Sequence, residues 1–569
     1  MRTALYALLI IALTGIFSYW YNLPADIGLD VPDGKLNSLS FAPFREGQNP
    51  LLLQFPTPEQ IDEDLALMAD KTHTIRTYSI TGGMNVIPEL ARKHGLEMIL
   101  GGWVGYYDYL DPEFKDTESR LEIEALVAAA NAYPDVVKRV IVGNEVLLRG
   151  ERTPEDLIKY IREVKQRVKQ PVSYADVWSM YMKHPQIIKE VDFITIHILP
   201  YWEDEPIPVE KAPAHIERIY KQVQKEAETI SPGKAILIGE TGWPSVGRQR
   251  GWAIPGVVNE AAFIRGLLKV AADNHFDVNI VEAFNQSWKS ELEGVIGANW
   301  GLFTVDRKEV FPLTGPVYEN HKWFGQYLIA AFIAALFVFC FAKKLQKPPT
   351  QGLIAFLVFA QILAYLLVFL GDKSWYTSYD NWQRFRSVLV IVLNTSVIAL
   401  VLSRACDVLT GAMTSNAKGQ ALRWVYAVVL LVAMVKTYSL ATDGRYVSFP
   451  FEIGIIPVIG LLGLFVLRSM ADKLALTNLN FHELLGSHRR INKQDKYIGW
   501  LILLYMGGLI VGEIIAFTVA RDFIQAYPGM GERLKWAVSF TVTNRQLLLW
   551  LVCLAVLALT RLVSAKRAA

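Results

Sequence analysis

The chain has 569 residues, with 57 Lys and Arg against 55 Asp and Glu, for a net charge of +2. With that balance and no Lys/Arg tract, nothing points to nucleic acid as a partner. The length allows several domains, and the 52% apolar content is spread unevenly, with charge and aromatics concentrated in residues 22–323 and long apolar runs elsewhere.

In chain order, the first element is an apolar run from Thr3 to Tyr21 behind Arg2. No small-x-small cleavage site follows it, and Tyr19, Trp20 and Tyr21 suit a membrane interface. Residues 1–21 therefore read as an uncleaved signal anchor.

Residues 22–323 alternate short β-type runs with amphipathic helices. The expected strands are Leu36–Phe41, His73–Tyr78, Glu97–Gly101, Arg139–Gly143, Val172–Tyr174, Phe193–Ile198, Ala235–Gly239 and Val278–Phe284. Helical stretches between them include Pro58–Met68, Glu118–Ala132, Pro154–Val168, Pro213–Ile230 and Asn259–Asn274; Thr57 and Thr153 stand as caps before prolines. This pattern predicts an α/β fold, a (β/α)8 TIM barrel. A doubly wound open sheet is the alternative, but no G-x-G-x-x-G follows the first strand.

On this count Glu145 follows the fourth strand and Glu240 the seventh, both at C-terminal strand ends, where such barrels carry their chemistry. Two carboxylates facing each other across one rim are the equipment for cleaving a glycosidic bond.

After Trp323 come the apolar runs Phe324–Ala342, Leu353–Leu370, Val388–Leu402, Leu422–Leu440, Phe451–Leu467, Ile498–Ala520 and Leu547–Leu562. They predict seven transmembrane helices in residues 324–569, eight with the anchor. With a cytoplasmic N-terminus, the loops expected inside hold Lys343, Lys344 and Lys347; Arg404, Lys418 and Arg423; Arg468, Lys473, Arg489, Arg490, Lys493 and Lys496; and finally Lys566 and Arg567. The positive-inside rule then puts residues 22–323 outside, on the far side of an inner or plasma membrane. The three cysteines, Cys340, Cys406 and Cys553, lie in or beside spans, so the exported domain has no disulfide and no Cys-based metal site.

Val142-Gly-Asn-Glu-Val146 and Ile238-Gly-Glu-Thr-Gly-Trp-Pro-Ser245 resemble the two signatures of the family 17 glycoside hydrolases, retaining β-1,3-glucanases and glucanosyltransferases on a (β/α)8 barrel. Ile75-Arg-Thr-Tyr78, Leu199-Pro-Tyr-Trp202, Glu282-Ala-Phe-Asn-Gln-Ser-Trp-Lys289 and Trp300-Gly-Leu-Phe303 are similar to its other strand-end motifs. The resemblance implies Glu145 as general acid/base and Glu240 as nucleophile. It makes Asn144 a partner for the sugar 2-hydroxyl and Tyr201 the residue that orients the nucleophile. Arg76, Tyr78, Trp243 and Trp288 are expected to contact substrate, and Glu282 and Lys289, with Glu293 downstream, are either a charge network in the cleft or a structural ion pair at the barrel rim. Trp103, Tyr106, Tyr107, Trp178 and Trp202 are further candidates for stacking on sugar rings. His197 either lines the cleft or is a satisfied core residue. No cofactor and no metal are expected, since a retaining mechanism needs neither.

Two departures put subsite number and acceptor preference in question. The interval between Glu145 and Glu240 is shorter than in plant members of the family, and Asn285-Gln-Ser-Trp288 stands where acidic-rich versions occur. The expected partners are a β-glucan, the lipid bilayer and a glucan synthase or exporter. The many spans resemble bacterial membrane proteins linked to β-1,6 branching of cyclic β-glucans, which favours transfer over a plain β-1,3-glucanase. A non-catalytic glucan sensor is the non-enzyme alternative, but it would be expected to have lost a catalytic carboxylate.

Overall fold

The computed structural model describes residues 2–563 apart from 106–111, 204, 445, 473 and 488–492. Two compact units are present, Pro24–Glu319 and, separately, Met1–Leu23 with Asn320–Ala569.

In Pro24–Glu319, strands β1 (Leu36–Ser40), β2 (Thr72–Arg76), β3 (Glu97–Gly102), β4 (Val137–Asn144), β5 (Val172–Val177), β6 (Ile194–His197), β7 (Ile236–Thr241) and β8 (Asp277–Ile280) form one closed barrel in sequence order. Every pairing is parallel, including the β1–β8 closure at Leu39 and Ile280. The (β/α)8 architecture is therefore as expected. Parallel strands need helices between them, and here the helices start where the sequence marks them. Thr57 and Gln60 form a reciprocal capping box ahead of Pro58–Ala69, and Thr153 caps Pro154–Arg167.

Both faces of the sheet are buried, which explains the near-continuous apolar strands. The outer face packs on the helices through residues such as Val140, Ile194, Ile196 and Ile238. Inside, Ile99, Ile141, Ala175, Phe193 and Leu237 fill one layer. Nearby polar side chains bond across strands: Ser38 Oγ donates to Asn279 Oδ1 (2.6 Å), Asn279 Nδ2 to Ser40 Oγ (2.8 Å), and Thr195 Oγ1 to Ser173 Oγ (2.8 Å). These side chains thus find partners among themselves, which makes them tolerable inside the barrel.

Strand ends differ from the sequence reading. β5 runs on to Val177, and β8 stops at Ile280 rather than Phe284. β7 continues through Thr241, so Glu240 lies inside the strand rather than beyond it.

Among the described residues of the other unit, eight helices are long and apolar enough to cross a membrane: Arg2–Tyr21, Trp323–Phe341, Thr350–Tyr376, Asn381–Thr410, Asn416–Thr442, Phe451–Ala471, Lys493–Thr518 and Arg545–Leu562. The short apolar runs belong to longer helices, because the polar flanks remain helical; Val388–Leu402 sits within the 30 residues of Asn381–Thr410. The helix Met530–Thr543, with 14 residues, was not anticipated and is too short to span. Basic residues from several loops gather at one end of this unit. Arg2 donates to the Pro348 carbonyl (2.7 Å), Lys344 and Lys418 both reach Asp407, and Arg468 pairs with Glu483 (2.6 Å).

Candidate active site

The barrel's C-terminal rim brings Arg76, Asn144, Glu145, His197 and Glu240 together from β2, β4, β6 and β7. Pairing shifts register near three of these exits, between Ile141 and Asn144, Ile196 and His197, and Ile238 and Thr241. Such bulges re-aim the side chains that follow them. Glu145 leaves β4 with its N–H on the Ala175 carbonyl (2.8 Å) and takes φ +54°. That left-handed conformation is costly for a non-glycine residue and persists only where its surroundings enforce it. Behind Glu240, Gly239 is a packing requirement: a Cβ there would stand 2.4 Å from Thr195 Cγ2.

Glu240 is 8% exposed and Glu145 more open. Arg76, only 1% exposed, donates through Nη1 to Glu240 Oε1 (3.0 Å) and the Gly239 carbonyl (2.7 Å), and through Nη2 to Asn144 Oδ1 (2.7 Å). The amide is thereby turned so that Asn144 Nδ2 is left for another acceptor. His197 bridges the carboxylates, with Nδ1 at 2.9 Å from Glu145 Oε1 and Nε2 at 3.6 Å from Glu240 Oε1. Oxygens of Glu145 and Glu240 and a His197 nitrogen all lie within 4.8 Å of one another. Burial alone would raise the Glu240 pKa, but positive charge from His197, Arg76 and Lys289, with a hydrogen bond from Tyr78, holds it below the usual carboxylate value. A deprotonated Glu240 is what a nucleophile needs.

His197 is the residue the sequence left undecided, and it sits in the cleft wall between the two glutamates. No local motif marks this His/Glu/Glu group, because its members come from three strands. Its spacing would admit a cation, but Arg76 already provides positive charge at Glu240 and approaches His197 Nε2 to 3.5 Å.

Several expected substrate contacts take other roles. Arg76 spends its guanidinium on protein acceptors and is too buried to meet sugar. Tyr201, expected to orient the nucleophile, gives its one hydroxyl proton to the Arg248 carbonyl; Glu240 is held by Arg76 instead. Trp243 is fully buried, its Nε1 on the Ile254 carbonyl (2.9 Å) and its ring against Tyr201 and Phe263, so no face is free for a sugar ring. Tyr78 is half-buried, its hydroxyl 2.9 Å from Ser40 Oγ and its ring under Arg76. Trp288 keeps part of its indole open beside Phe44, and Trp103, Trp178 and Trp202 are also partly exposed. Tyr106 and Tyr107 lie outside the described residues.

Glu282 and Lys289 form a buried pair, with Nζ 3.1 and 3.0 Å from the two carboxylate oxygens. Burial pushes Glu282 up to about 7, against the pull of Lys289 and with Glu293 and Glu240 adding to the rise; Glu293 is also raised, by burial and then by Glu145 and Glu240. The cleft thus holds more carboxyl groups than cations, and protons make up part of the difference near neutrality. A stability effect follows. The native state keeps the Glu282 proton over a range where the unfolded chain, near 4.5, has lost it. Glu282's contribution to stability is therefore full below about 4.5 and lost as pH rises through about 7, on the order of 3 kcal/mol. Glu282→Gln is expected to reduce the fall of melting temperature across that window, measured by tryptophan emission on the full chain in detergent. An unchanged slope would rule out this proton.

Residues 38–301 match the family model described as the BtgE/BtgC glycoside hydrolase domain. A glucan 1,3-beta-glucosidase of Arthroderma benhamiae is 26% identical over 305 residues, covering 51% of this chain and 89% of its own length. One from Schizosaccharomyces pombe is 28% identical over 265 residues, covering 42% of this chain and 78% of its own. Among solved structures, an active-site mutant of Rhizomucor miehei beta-1,3-glucanosyltransferase in complex with laminaritriose aligns at 26% identity, covering 49% of this chain and 96% of its own, with a TM-score of 0.41. That match is in keeping with the resemblance read from the glutamate motifs, and the chain is an enzyme.

Proposed function

We propose that this glycoside hydrolase is a membrane-bound retaining enzyme that cleaves β-1,3-glucan and passes the glycosyl group to a glucan acceptor. One observation carries the reading: Glu145 and Glu240 oxygens lie within 4.8 Å of each other. Retaining pairs stand about 5–5.5 Å apart, whereas inverting pairs leave about 6.5–9.5 Å for a water. In the first step a Glu240 oxygen attacks the anomeric carbon. The glycosidic bond breaks, and its electron pair goes to the leaving oxygen, which takes a proton from Glu145. In the second step Glu145 removes a proton from an acceptor hydroxyl, which attacks the same carbon and frees Glu240. Asn144 Nδ2, left available by the Arg76 bond to Oδ1, is set to hold the 2-hydroxyl. Trp288, half-buried at the rim, offers part of its indole to a neighbouring sugar ring.

The relatives named above include glucosidases and a glucanosyltransferase, so the substrate class follows from them and the acceptor does not. Transfer, as β-1,3 elongation or β-1,6 branching, is the reading favoured by eight apolar helices, since a scavenging hydrolase needs only one anchor. Basic loops gathered at one helix end support a cytoplasmic face there, hence a periplasmic barrel at a bacterial inner membrane, with a glucan synthase or exporter as partner.

The test is incubation of the full chain in detergent with laminari-oligosaccharides, followed by size and linkage analysis. Longer or β-1,6-linked products are expected. Only shorter products would make it a hydrolase, and bound but unchanged sugar would favour a sensor.

A further inference from the structure

The turn that carries Glu145 is fastened from β5 by Tyr174 and Asp176, two buried residues with no place in the mechanism above. Asp176 has no exposed surface and Tyr174 is 1% exposed. After Glu145 the chain makes a helix-like turn, with the Arg149 N–H on the Glu145 carbonyl (3.0 Å) and the Glu151 N–H on that of Val146 (3.0 Å). The first N–H groups of such a turn have no acceptor within it. β5 supplies them: the Leu147 N–H donates to Tyr174 Oη (2.9 Å) and the Leu148 N–H to Asp176 Oδ2 (3.3 Å). Tyr174 in turn donates its hydroxyl to Asp176 Oδ2, and the Val177 N–H donates to Oδ1 (2.8 Å).

Asp176 therefore accepts three donors across two oxygens, which an ionised carboxylate can do and an asparagine cannot without turning an NH2 toward one of them. The groups facing it are Tyr174 on its own strand, Glu145 from β4, His197 from β6 and Tyr181 from the following helix. Burial first, and then the Glu145 charge, push its carboxyl up to about 6. Keeping an acid where it is disfavoured in this way is consistent with a task that needs its acceptor geometry.

We infer that Asp176, acting with Tyr174, is a positioning residue for the general acid/base, clamping the Val146–Leu148 turn so that Glu145 keeps its left-handed backbone and its aim at the leaving oxygen. The inference rests on the retaining reading above. The clamp acts on the Glu145 segment, whereas Glu240 is held by Arg76 from β2. Loss of the clamp should thus impair proton donation and spare nucleophilic attack.

The test compares the full chain with Asp176→Asn on two donors: laminari-oligosaccharides, whose leaving oxygen needs a proton, and a dinitrophenyl β-laminaribioside, whose leaving group does not. Asp176→Asn is expected to cut kcat on the oligosaccharide roughly 10²-fold, the scale of a misplaced catalytic group. Its pre-steady-state burst of dinitrophenolate should stay within a few-fold of the parent. Equal losses on both donors, or no loss on either, would overturn the inference. If Asp176→Asn does not fold, Tyr174→Phe removes only the hydroxyl and should show the same asymmetry to a smaller degree, about tenfold on the oligosaccharide. Failure of the unaltered chain to turn over either donor would count against the retaining reading itself.

Discussion

Glu240→Gln is expected to abolish turnover of β-1,3-glucan, lowering kcat by on the order of 10⁴–10⁶-fold, the range found when an enzyme's nucleophile is removed. The amide keeps the size of the side chain but not its nucleophilicity. The surroundings of Glu240 are built for an anion: Arg76 at 3.0 Å, further positive charge from His197 and Lys289, and a pKa held low despite burial. An amide here also leaves the buried Arg76 charge uncompensated, so the variant should melt lower. Its folding should therefore be confirmed, by tryptophan emission, before its kinetics are read. Activity within tenfold of the parent, in a folded variant, would remove Glu240 as nucleophile.

Glu145→Ala is expected to fail differently. With laminari-oligosaccharides kcat should fall by about 10²–10⁴-fold, the usual worth of general acid–base catalysis. With a dinitrophenyl donor the first step needs no proton, so Glu240 should still be glycosylated and a burst of dinitrophenolate should appear. The second step then lacks its base, and the glycosyl-enzyme should accumulate. Azide, a nucleophile that needs no deprotonation, should restore turnover and give a β-glycosyl azide. An α-glycosyl azide, or no burst, would mean that Glu145 and Glu240 do not divide the labour as described.

The parts of the fold set by periodicity and by turn chemistry were legible. Thr57–Pro58 and Thr153–Pro154 marked helix starts because capping is a local matter, and the β4 and β7 glutamates stood out as polar residues at the ends of apolar runs. The ends of β5 and β7 were not legible. Asp176, Glu240 and Thr241 look like loop residues in sequence, yet the barrel keeps them in strands because neighbouring strands pair their backbones. The Ile198 N–H on the Glu240 carbonyl (3.0 Å) is one such bond. The same reasoning covers the site. Glu145 and Glu240 carry their own motifs, whereas His197 owes its place to carboxylates from two other strands. Tyr201 was expected to orient the nucleophile and Trp243 to contact substrate, but at this rim they pack on each other. Nothing along the chain tells a buried indole from an open one.

The claim on which everything else depends is that Glu240 carries the glycosyl group covalently. Incubating the full chain with a 2-deoxy-2-fluoro-laminaribiosyl dinitrophenyl donor, then locating the adduct by peptide mass spectrometry, tests it directly. The expected result is a single adduct on the peptide that contains Glu240. An adduct on another carboxylate, or none while unfluorinated donor is turned over to products of inverted anomeric configuration, would contradict it.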